Sequence, residues 1–95
     1  MMEDLPPVQH TKTEGEAVEV WWYQEQGPQL VVWENPYAPP FRRWEVRLYP
    51  TGPAYWLKQD DWYHSAFPLQ ITATRSGRSQ LEKAARYYAK EHPDA

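Results

Sequence analysis

Residues 41–49 read Phe41-Arg42-Arg43-Trp44-Glu45-Val46-Arg47-Leu48-Tyr49, and this stretch decides the fold class. Trp44, Val46 and Leu48 share one parity; Arg43, Glu45, Arg47 and Tyr49 share the other. Alternation of apolar with charged side chains is the pattern of a β-strand that buries one face and wets the other. Such a strand needs antiparallel neighbours, and the flanking sequence supplies them.

Upstream, Ala17 to Gln24 is β-branched and aromatic, with Val18, Val20 and Trp22 on one face and Glu19, Trp21 and Tyr23 on the other. Gln26-Gly27-Pro28-Gln29 is a turn signal, and Leu30 to Glu34 reads as the return strand of a hairpin. The prolines of residues 35–40 cannot donate ladder hydrogen bonds, so that segment is a loop. Downstream, Pro50-Thr51-Gly52-Pro53 is a turn, and Ala54 to Lys58 reads as a second returning strand. Between Trp62 and Thr74, Phe67, Leu69, Ile71 and Ala73 alternate with polar residues and Pro68, which suits an edge strand.

Arg75-Ser76-Gly77-Arg78 reads as a tight turn, after which Ser79 with Glu82 fits a capping box opening a helix. Leu81, Ala84, Ala85 and Tyr88 form its apolar stripe, Glu82 and Arg86 an i, i+4 pair, and Pro93 its stop. The expectation is an α+β domain: a small antiparallel β-sheet of four to five short strands packed against one C-terminal helix. Residues 1–16, acidic and proline-bearing, read as a mobile N-terminal tail, and residues 17–95 as the single domain.

Composition narrows the functional classes. The chain contains no cysteine, which excludes disulfides, thiolate chemistry and cysteine-ligated zinc, and favours a reducing, cytoplasmic setting. No apolar run approaches the ~20 residues of a membrane span, and Met1 to Glu16 lacks the apolar core of a signal peptide. His10, His64 and His92 have no metal-ligand spacing, so neither a metal nor another cofactor is expected. No nucleophile elbow, phosphate loop or dinucleotide fingerprint occurs, and the chain reads as non-catalytic. Asp60, Asp61 and His64 form the one acid–histidine cluster in sequence, and they read as a solvated turn.

Charge is uneven: residues 1–35 carry a net −6 and residues 36–95 a net +3. A basic half bearing arginines meets anions. Arg43 and Arg47 on one strand face, with Arg75, Ser76, Gly77 and Arg78 at a helix start, are the candidate nucleic-acid or polyanion-binding residues, with Lys83 and Arg86 as weaker ones. Strands followed by a helix, with basic residues on a central strand, make residues 41–92 similar in outline to the three-stranded-sheet DNA-binding domains of the integrase N-terminal type. That likeness lies in element order alone, and no residue roles are carried over from it.

The alternative is a protein-interaction or inhibitor module that uses exposed tryptophans and the acidic N-terminal third, which could mimic nucleic acid toward a basic partner. Six Trp, seven Tyr and two Phe exceed what a core of this size can bury with their polar groups satisfied. Trp21, Trp33, Tyr37 and Trp62 are its candidate contacts, and a homodimer would account for a first strand that is apolar on both faces.

Overall fold

The computed structural model describes residues 5–12, 17–50 and 62–93. It shows an α+β fold: five antiparallel strands in the order β1-β2-β3-β4-β5, each hydrogen-bonded to its sequence neighbour, with one C-terminal helix on one face. The strands are β1 (Gln9–Lys12), β2 (Ala17–Trp22), β3 (Gln29–Glu34), β4 (Trp44–Tyr49) and β5 (Tyr63–Phe67), and the helix is α1 (Gln70–Glu91).

The register assigns the faces. Trp21, Leu30, Leu48 and Tyr63 are aligned across four strands, as are Glu19, Val32, Val46 and Ser65. These rows lie beneath α1, where Leu30, Val32, Val46, Leu48, Ala73 and Leu81 make one buried cluster with Trp21, Tyr23, Trp44, Tyr63 and Phe67 around it. The alternation read from residues 44–49 therefore holds: Trp44, Val46 and Leu48 face the helix. The other face is also closed at its centre, where Val20, Gln29, Val31, Glu45 and Tyr49 are buried.

The helix approaches the sheet closely because its buried residues, Ala73, Gly77, Leu81 and Ala85, recur every four positions and three of them are small. At Gly77 a β-carbon would stand 2.7 and 2.9 Å from the two methyl carbons of Leu30. The far end of α1 is tied to the β2–β3 turn: Gln24 donates to the Ala85 carbonyl at 2.9 Å, and Gly27 lies against Tyr88.

Four sequence expectations need correction. Gln9–Lys12 is an edge strand paired along β2, so this part of residues 1–16 is ordered sheet. The helix begins at Gln70, with Leu69 as its N-cap and no side-chain cap, so Arg75 to Ser79 is mid-helix and Ser79–Glu82 caps nothing. The strand read through Thr74 ends at Phe67. Its period-2 pattern was accidental, since Leu69 and Ile71 are exposed and Ala73 alone of the last three is buried. Finally, β4 starts at Trp44, because Pro40–Arg42 forms a turn of 3-10 helix that the prolines favour. The expected strand at Ala54 to Lys58 and the residues Asp60 and Asp61 lie outside the described residues. Among the described residues no helix is long and apolar enough to cross a membrane.

Candidate functional site

A groove of about 510 Å³ runs along α1 between the helix and Tyr23, which follows the end of β2. Ile71, Thr74, Arg75, Arg78, Ser79 and Glu82 line it from the helix side. These positions fall three or four apart, so they form one stripe of an uninterrupted helix. Only because α1 starts at Gln70 do Arg75 and Arg78 sit side by side on it; a turn at residues 75–78 would have splayed them.

A chain of contacts fixes Arg78. Its guanidinium carbon lies 4.5 Å from the Trp21 ring centroid, a cation–π distance. Trp21 is itself stacked on His10, 3.9 Å between centroids at 18°. His10 donates through Nε2 to Glu19 Oε2 at 2.7 Å, and Glu19 Oε1 accepts from Gln70 Nε2 at 2.9 Å and Thr74 Oγ1 at 3.4 Å. The buried Glu19 carboxylate thus ties β1 to the first turns of α1, and the His10 ring it anchors stacks on the Trp21 that supports the arginine.

The electrostatics of the groove follow from which charges are already matched. Arg86 lies 3.9 Å from Glu82, the one acid of the groove. Neither Arg75 nor Arg78 has a carboxylate within 4.0 Å among the described residues. Arg78 Nε and Trp21 Nε1 are buried without a hydrogen-bond partner. Unsatisfied buried donors are costly, so the stacked contacts around Trp21 must offset them.

The strand arginines are elsewhere. Arg43 falls at the end of the 3-10 turn and pairs with Glu34 at 3.3 Å. Arg47 is on the sheet face opposite α1, 3.8 Å from Glu45 and 5.9 Å from the Trp33 centroid. The four arginines singled out in sequence do not share one surface, and Ser76 and Gly77 add nothing to an anion cradle. Ser76 meets the Tyr63 hydroxyl at 3.3 Å, and Gly77 is buried against Leu30.

Glu45 is the hub of the second polar cluster. It accepts from Asn35 Nδ2 and from His64 Nε2, each at 2.8 Å, one bond on each oxygen. Burial works to raise its pKa, but Asn35, His64 and Arg47 outweigh that and hold the carboxyl below its ordinary value. With both oxygens engaged, this cluster is cross-bracing between the β3–β4 loop and β5. His64, read in sequence with Asp60 and Asp61, belongs to it.

Among the candidate aromatic contacts, Trp21 and Trp33 are half-buried supports beneath Arg78 and Arg47. Tyr37 and Trp62 are exposed, at 94% and 55%. Sequence reading missed Tyr23, Thr74 and His10; helical periodicity carried back to Ile71 would have gathered all the helix residues of the groove. Among the described residues no cluster of His, Asp and Glu could hold a metal ion.

Comparison with models of protein families, with curated protein sequences and with solved structures finds no match to this chain.

Proposed function

We propose that this chain is a small non-catalytic binding module that takes an acidic, partly apolar segment of a protein partner along the groove beside α1. The observation that carries the reading is the pair of guanidiniums, Arg75 and Arg78, on one groove with no carboxylate partner among the described residues, while Arg43, Arg47 and Arg86 each have a glutamate. Ser79 adds a hydroxyl donor, and Ile71, 64% exposed, offers an apolar contact at the groove's end. Charge-assisted hydrogen bonds from arginine to carboxylate are the strong kind, and aromatic support reduces the entropy lost on forming them.

Two arginines match a short stretch of carboxylates better than a nucleic acid. Tight binding to a phosphate backbone draws on many cations, and this chain has a formal net charge of −3. The separation of Arg43 and Arg47 from the groove removes the extended basic face that the polyanion expectation required.

Fluorescence anisotropy with a labelled peptide of alternating Glu and Leu, and with a single-stranded oligonucleotide of similar length, tests the proposal. The peptide is expected to bind, with Arg75→Glu and Arg78→Glu each weakening it by roughly tenfold or more and Arg43→Glu leaving it unchanged. Tighter oligonucleotide binding with a steep salt dependence would replace this reading with the nucleic-acid one. Peptide binding that is indifferent to both groove variants would end it.

A further inference from the structure

We infer that the outer edge of β5 is a self-pairing surface, through which two copies of this chain join their sheets edge to edge. The two edges of the sheet are unlike. β1 carries Lys12, a residue type that discourages strand addition. β5 reads Tyr63-His64-Ser65-Ala66-Phe67, with no carboxylate, lysine or proline inside it, and among the described residues no strand pairs with its outer side.

The occupant follows from what stands at the ends of this strand. Trp62, 55% exposed, precedes it. Leu69, 59% exposed, follows it, and the 3-10 turn bearing Phe41, 65% exposed, contacts it. Because Trp44 is aligned with Phe67, that turn lies at the C-terminal end of β5. Antiparallel pairing about a two-fold axis at Ser65 sets Ser65 against its own copy, Tyr63 against Phe67, and His64 against Ala66. The exposed Trp62 of each copy then falls at the other's Pro68, beside Phe41 and Leu69. Each copy supplies both halves of the contact, which makes a second copy the fitting partner. No like charges meet, and aromatic cross-strand pairs are favourable.

Size and clearance agree. The exposed parts of Trp62 and Phe41 amount to on the order of 250 Å² per copy. Counting both copies and the strand edges, the interface approaches the ~1,000 Å² at which specific association begins, so the dimer is weak and concentration-dependent. A two-fold axis perpendicular to the sheet leaves both helices on the same face. Their contacts with the sheet centre on β3 and β4. At ~4.8 Å between strands the helix axes are roughly 19 Å apart, so the two helices clear one another.

The lack of cysteine gives a direct test. Opposed cross-strand residues have Cα atoms about 4.5–5.5 Å apart, within disulfide range. Ser65→Cys should form an intermolecular disulfide under mild oxidation much faster than Lys83→Cys on the exposed side of α1. Sedimentation of the unmodified chain should show dimer growing at roughly 0.1 mM and above, and Trp62→Ala should shift that range upward about tenfold. Circular dichroism checks that each variant is folded. A monomer at all concentrations to about 1 mM, equal cross-linking of the two cysteine variants, or dimerisation unmoved by Trp62→Ala would each overturn the inference. The groove arginines are not involved, so this outcome is independent of the peptide experiment.

Discussion

At the scale of single residues, the two buried glutamates of the sheet show how charge is accommodated in a small core. Glu19 lies on the helix side and Glu45 on the other, and each is matched to one histidine, at 2.7 and 2.8 Å. A buried carboxylate survives when its oxygens are hydrogen-bonded, and both meet that condition with neutral amides or hydroxyls as well. Glu45 gives a pH prediction. Its folded pKa is depressed, so its stabilisation is full above the unfolded carboxylate value of about 4.3 and is lost as pH falls through the lower folded value. Glu45→Gln should cost about 1–2 kcal/mol at pH 7, measured by urea unfolding, and the gap to the unsubstituted protein should narrow towards pH 3. An unchanged gap across that range would show that the carboxylate's charge is not what the cluster uses.

At the scale of elements, the helix–sheet contact depends on Gly77. Glycine inside a helix costs about 1 kcal/mol relative to alanine, so its presence needs a compensating gain. Leu30 provides it: fully buried, it occupies the space where a side chain at position 77 would begin. Gly77→Ala gains helix propensity but overpacks the contact, and overpacking typically costs 1–3 kcal/mol. A net loss of about 1 kcal/mol and a lower Tm are expected, and a stabilised variant would show that the contact gives way easily. The same glycine misled the sequence reading. Within Arg75-Ser76-Gly77-Arg78 it looks like turn chemistry, because the sequence does not show the leucine that makes a small residue necessary.

At the scale of the whole molecule, the order β1 to β5 is a simple meander whose centre is covered on both faces. Stability should grade from that centre outward, since the outer strands have fewer buried contacts. The amides of Leu30, Val32, Val46 and Leu48 should exchange with solvent slowest. Those of Gln9–Lys12, whose side chains are exposed throughout, should exchange at least ~100-fold faster. Hydrogen exchange read by NMR checks this, and equal protection of β1 and β3 would mean that the sheet opens only as one unit. Functionally, the layers matter more than the sequence neighbourhood: Arg43 ends the 3-10 turn, Arg47 belongs to the sheet, Arg75 and Arg78 belong to the helix, and only the last two share the groove.

Periodicity alone determined the fold class, the facing of Trp44, Val46 and Leu48, and the helical stripe of Leu81, Ala84 and Ala85, because alternation and 3.6-residue repetition are local properties of the chain. Tertiary structure decided the start of α1, the pairing of Gln9–Lys12 and the separation of the arginines. Each of those depends on residues far apart in sequence. Leu30 demands a glycine, Trp21 receives His10 and Arg78, and Glu19 ties the first strand to the helix; one-dimensional spacing carries no record of such contacts.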